Sequence, residues 1–165
     1  MKTKKIFFLL FVLVSTISFV SCNDDDDDNK NPYPKPINVS DYSLKDDGID
    51  AKFYIPKADT VYVINSDEEL KDYVVSANGI IGNIGKIKTS IDYNKYSLLL
   101  VGGQLTSGIS EINRIYRQEA ENKYSFNVDI VMNETAEAAF WEVSVLVPKL
   151  KSTDVLNYEI VKRKS

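Results

Sequence analysis

The chain has 165 residues, with 20 Lys and Arg against 24 Asp and Glu, no His, one Cys and one Trp, so it holds one ordinary domain with room for a tail. Without His, and with a Cys that has no second Cys to pair with, Ser-His-Asp hydrolases, Cys-His proteases, zincins, haem proteins and zinc fingers are excluded. The net charge of −4 argues against a nucleic-acid partner, which calls for a basic face.

Residues 1–21 read as a lipoprotein signal peptide. Lys2, Lys4 and Lys5 form a basic start, and an apolar run follows from Ile6 to Val14. Ser15, Thr16 and Ser18 then thin the run, which leaves it short of the ~20 apolar residues of a spanning helix. Cys22 stands where the run stops, after Phe19-Val20-Ser21. This resembles the lipobox of bacterial lipoproteins, with Phe19 where that pattern has Leu. The resemblance implies that Cys22 is acylated (palmitate is a typical chain), becomes the mature N-terminus and anchors the protein in the outer membrane bilayer. Cleavage before Cys22 removes three cations and no anion, so the mature chain is more acidic than the precursor.

Residues 22–36 are expected to form a tether. Asp24, Asp25, Asp26, Asp27 and Asp28 repel one another, and Pro32, Pro34 and Pro36 interleave with Tyr33 and Lys35. An EF-hand loop starting at Asp24 would need Gly and Glu where Asn29 and Lys35 stand, so the run is not read as a calcium loop. An acidic cluster just after a lipidated Cys resembles the surface-export signal of Bacteroidetes lipoproteins, and Asp24 to Asp28 are the candidate signal. The alternative is a plain solvated spacer.

The folded domain is expected over residues 37–165. Its predicted class is mainly β (α+β): a single antiparallel β-sheet or sandwich with one packed α-helix. Ala51 to Ile55 carries a weaker strand signal, and Val61 to Ile64 predicts a short strand. Between them, Asp59-Thr60-Val61 matches the D-[ST]-apolar pattern that resembles a Bacteroidetes O-glycosylation acceptor, with Thr60 the candidate; a plain strand start is the other reading. Ser66-Asp67-Glu68-Glu69 is a capping box, and Leu70, Tyr73 and Val74 share a face behind it, which predicts a helix ending before Asn78-Gly79.

Gly79, Gly82 and Gly85 follow at a spacing of three, which fits neither a phosphate loop nor a dinucleotide fingerprint and reads as a flexible loop. Ser97 to Val101 is apolar without alternation and predicts a central strand. Gly102 and Gly103 are expected to end it in a corner, with the segment from Gly102 to Gly108 at one end of the sheet. There Gln104, Thr106, Ser107 and Gly108 are the candidate partner-binding residues. Ile109 to Gln118 is expected to pair with Lys123 to Met132 through Ala120-Glu121-Asn122. In the second of these strands Tyr124, Phe126, Val128, Ile130 and Met132 alternate with more polar residues. Trp141, Val143, Val145 and Val147 alternate likewise until Pro148, and Tyr158 to Val161 is a last, weaker strand.

No S-x-x-K or G-x-S-x-G motif is present, so a serine nucleophile has no base. Asp92, Glu111, Asp129, Glu134 and Glu142 could in principle supply a glycosidase pair, but any domain of this size carries such a set. No catalytic residue, metal or cofactor is expected.

The order of strand, helix "SDEELKDYV", loop, "IDYNKYSLLLVGGQLTSGISEI", hairpin and closing strand with "VPKL" resembles the C-terminal domain of the PrcB family, the small subunit of a protease complex. The resemblance spans about residues 60–161. It is carried by Ile91, Asp92, Tyr93, Tyr96, Ser97 to Val101, Thr106, Ser107 and Gly108, with Ser107 where the family has Gly. It implies a non-enzymatic protein that binds or stabilises another extracellular protein, a protease among the candidates. The competing reading is a glycan-binding accessory module of the outer membrane. That module would use exposed aromatics such as Tyr93, Tyr96 or Trp141 as stacking platforms.

Overall fold

A computed structural model describes residues 31–76 and 87–165. Cys22, the acidic run Asp24 to Asp28, Asn78 and the glycines Gly79, Gly82 and Gly85 lie outside the described residues. Residues 32–165 form one compact unit.

The strands run in chain order as β1 (Lys35–Pro36), β2 (Ser40–Asp41), β3 (Ala51–Phe53), β4 (Tyr62–Ile64), β5 (Val74–Ser76), β6 (Tyr96–Leu105), β7 (Ile109–Ala120), β8 (Lys123–Met132), β9 (Ala139–Pro148) and β10 (Val155–Lys164). Helix α1 (Asp67–Leu70) lies between β4 and β5. The first sheet has the order β1-β7-β8-β10 and the second β2-β9-β6-β4, while β3 and β5 pair by themselves. The structure is therefore mainly β with one short α-helix, as the alternation predicts. Paired backbone begins at Lys35, opposite Gln118, slightly before the expected start at residue 37. Pro36 is tolerated because β1 is a two-residue edge strand.

Two cores explain the sequence patterns. The first lies between the two four-stranded sheets and takes Leu99, Val101 and Leu105 from β6, Phe126, Val128 and Ile130 from β8, and Trp141, Val143, Val145 and Val147 from β9. β8 and β9 face this core on one side only, which is why they alternate. The second core lies on the opposite face of β6, where Leu98 and Leu100 meet Tyr42, Leu44, Ile64, Leu70 and Val74. β6 is thus covered on both faces, and its unbroken apolar run follows. Ser97 is the one polar side chain fully buried here among the described residues. Its hydroxyl donates to Asn65 Oδ1 at 2.6 Å and accepts from Leu150 N–H at 3.0 Å, which removes the burial penalty.

Three expectations change. The helix does not run toward Asn78: α1 ends at Leu70, a 3₁₀ turn covers Lys71–Tyr73, and Val74 to Ser76 form β5 opposite Phe53, Lys52 and Ala51. The cap itself forms, since Ser66 Oγ accepts from Glu69 N–H at 3.1 Å. The Glu69 carboxylate reaches one residue further back than the motif describes, to Asn65 N–H at 2.7 Å. β-branched Val74 and Val75 follow, and a strand partner distant in sequence takes them over.

The second change is orientation. β10 pairs with β8 in parallel from Val155 opposite Lys123 to Lys164 opposite Met132. After β8 the chain crosses to the other sheet as β9, then returns to start β10 at the same end as β8.

The third concerns Gly102 and Gly103. They form no corner, because β6 continues through both to Leu105, opposite Glu142 and Trp141. Only Thr106 to Gly108 turn. The glycines are required by close approach. A Cβ on Gly102 would collide with the Ile55 side chain, and one on Gly103 would come within 3.1 Å of Trp141 Nε1 and 3.3 Å of Ala58 Cβ.

Candidate functional site

The surface feature that departs furthest from ordinary burial is Phe140, 80% exposed at the start of β9. It stands on the outer face of the second sheet, off phase from the buried Trp141 and Val143. Two recesses flank it, of about 530 Å³ and about 480 Å³, and both are lined by Phe53, Phe140 and Glu142. Tyr54, Ile55 and Gln104 complete the larger, and Leu44, Lys45 and Lys52 border the smaller.

The groove exists because β2 is short. β2 covers β9 only at Val145 and Leu146, and Tyr42 N–H donates to Ser144 C=O at 3.0 Å before the chain turns away into the 3₁₀ segment Leu44–Asp47. Backbone bonding alternates along a strand. Phe140 and Glu142, in phase with Ser144, therefore present their N–H and C=O groups on the side that β2 leaves open. Crowding by protein raises the Glu142 carboxyl above its ordinary value, although the residue as a whole is exposed.

Beside Gly103, which lines the larger recess, two buried polar atoms have no hydrogen-bond partner among the described residues. Trp141 is 4% exposed, and its Nε1–H makes no hydrogen bond; Asp59 Oδ1 makes none either. They lie on either side of Gly103, at 3.1 and 3.4 Å from the place a Cβ would occupy. Lys162 Nζ bonds the other Asp59 oxygen at 2.6 Å and lies 5.9 Å from the centre of the Trp141 ring.

The expected partner-binding residues are divided. Gln104 lines the larger recess. Thr106 and Ser107 line a different one of about 460 Å³ with Asn133, Thr135 and Lys164. Gly108 closes the turn, its N–H donating to Thr135 Oγ1 at 3.1 Å. Thr60 is half-buried in the turn before β4, where its hydroxyl donates to Ala58 C=O at 3.5 Å.

Of the three aromatics proposed as platforms, Trp141 is in the first core and Tyr93 packs on the second, where burial pushes its hydroxyl up to about 12. Tyr96 remains 42% exposed. Sequence reasoning missed Phe140, although its signal was present: an aromatic in the polar phase of the Trp141–Val147 alternation. Asp92 and Asp129 are engaged by Lys95 and Arg163, each at 3.0 Å. Among the described residues, no three Asp, Glu, Cys or His side chains gather as a metal site would need.

No protein family, curated protein or solved structure that was compared matches the chain.

Proposed function

We propose that this is a non-enzymatic lipoprotein, anchored in the outer membrane through Cys22 and displayed at the cell surface, that binds or stabilises another extracellular protein. One observation carries the reading: Phe140 stands exposed beside a stretch of strand edge that β2 leaves open. An exposed aromatic flanked by recesses, one mostly apolar and one mixed apolar and charged, suits the anchor of a protein interface. The open backbone of Phe140 and Glu142 would let an extended segment of the partner add hydrogen bonds to β9. The PrcB resemblance supports the same class of role and makes an extracellular protease one candidate partner. The glycan alternative now rests on Phe140 and Tyr54 in place of Tyr93 and Trp141.

The test is recovery of partner from intact cells after chemical crosslinking, with the lipid anchor kept. Phe140→Asp should reduce recovered partner at least tenfold and leave the thermal midpoint within a degree or two, because the ring is almost fully solvated. Equal recovery from the variant would remove the groove from the interface. Retention of the wild type on immobilised polysaccharide, lost in Phe140→Asp, with no protein recovered would favour the glycan alternative.

A further inference from the structure

We infer that β10 is a self-association strand, pairing antiparallel with β10 of a second copy about a two-fold axis through Val161, perpendicular to the sheet. Its free edge is identified by the hydrogen bonds at its two ends. Val155 N–H donates to Asn122 C=O at 2.8 Å, and Ser165 N–H donates to Met132 C=O at 3.0 Å. The register between them is unbroken. Alternate residues of a parallel ladder bond the neighbour, so the odd-numbered residues face β8. The N–H and C=O groups of Leu156, Tyr158, Ile160, Lys162 and Lys164 face outward. Among the described residues no strand lies beyond them.

Edges of this kind are ordinarily kept short, bent by a bulge, broken by Pro or guarded by charged side chains. β10 is ten residues long, holds no Pro or Gly and has no bulge against β8. It also exposes apolar side chains: Val155 is 49% exposed, Tyr158 45% and Val161 39%.

The charges along the strand favour a reversed copy of itself as occupant, and an axis through Val161 over those through Glu159, Ile160 and Lys162. The faces of a continuous sheet must match, so odd residues stand opposite odd ones. An axis through Glu159 would put two carboxylates face to face, and one through Lys162 would do the same with two ammonium groups. Both are unfavourable. An axis through Ile160 avoids repulsion but leaves Glu159 opposite Val161. With the axis through Val161, Glu159 of each copy stands opposite Arg163 of the other, Tyr158 opposite Lys164, and Ile160 opposite Lys162. Glu159 has no ion-pair partner among the described residues, whereas Arg163 keeps its bond to Asp129 at 3.0 Å on the neighbouring strand. The strand is complementary in charge to its own reversed copy, which is the requirement of an isologous interface. This pairing is independent of the groove at Phe140.

Disulfide trapping tests it in intact cells that express the full chain. Val161 and its copy would form a non-hydrogen-bonded pair with Cα atoms about 4.5 Å apart, within the span of a disulfide. Under mild oxidation, Val161→Cys should give a dimer of twice the monomer mass on a non-reducing gel, well above the background of the wild type. Glu159→Cys should give no more than that background. Adding Glu159→Arg to Val161→Cys should lower the trapped fraction about tenfold, since two attractive pairs become repulsive, while the melting midpoint stays within a degree or two. A Val161→Cys variant at background level would overturn the inference. So would equal trapping by Glu159→Cys, or trapping unchanged by Glu159→Arg.

Discussion

Replacing Gly102 with Val should remove most of the folded protein, at a cost of more than about 3 kcal/mol by thermal or urea unfolding. The position is buried in the interior of β6, paired with Glu142. A Cβ there would overlap the Ile55 side chain on one side and lie 2.5 Å from the Trp141 carbonyl on the other. Ile55 can rotate, but the carbonyl belongs to the ladder that joins β6 to β9 and cannot withdraw without breaking it. Gly108→Val is the contrast. Its Cβ would meet the Thr135 and Asn133 side-chain ends, which lie at the surface and can turn aside at the loss of the hydrogen bonds they make with each other and with Gly108 N–H. That substitution should cost about 1 kcal/mol. Equal losses from both variants would mean that Gly102 is no more confined than a turn residue.

A second large effect is expected at the anchor. Cys22→Ala should abolish incorporation of an azido fatty acid and release the protein from the membrane fraction. A single acyl chain holds a protein only marginally, whereas two or three hold it stably, so the change in partitioning should be close to complete. Because Cys22 is the only Cys of the chain, no second thiol can take the label. Labelling of the variant equal to that of wild type would refute the assignment. The acidic run has a separate readout. Replacing Asp24 to Asp28 with Ala should leave the label intact and reduce shaving of the domain by external protease, and unchanged shaving would make the run a spacer.

The parts of the fold that were legible in the sequence are those where one strand meets one core. Tyr124 to Met132 and Trp141 to Val147 alternate because a single face is covered, and Leu98 to Val101 do not because both faces are. The hairpin of β7 and β8 was legible too, since its turn residues are local, and Asn122 adopts the left-handed φ of 60° that suits Asn. What escaped depended on residues distant in sequence. The capping box marks the start of α1 but carries no word of Phe53, whose strand takes Val74. Gly102 and Gly103 read as a corner because the side chains that crowd them, Ile55 and Trp141, are about forty residues away on either side. Parallel pairing of β10 follows from the chain crossing between sheets, which no local pattern encodes.

The candidate site divided in the same way. Gln104 was identified for its place beside two glycines, and it does line the larger recess. Thr106 and Ser107 were grouped with it by proximity in sequence, yet they line a separate recess beyond the end of β6. Phe140 was hidden inside an alternating strand, and its exposure depends on how short β2 is, a property of a segment a hundred residues earlier.

We propose that the groove around Phe140 meets another protein at the cell surface. The most direct measurement places a photoreactive phenylalanine analogue at position 140 of the full, lipidated chain and irradiates intact cells. One discrete protein adduct is expected, absent when the same analogue stands at exposed Glu121 on the β7–β8 turn. No protein adduct from position 140, or the same spread of adducts from both positions, would contradict it.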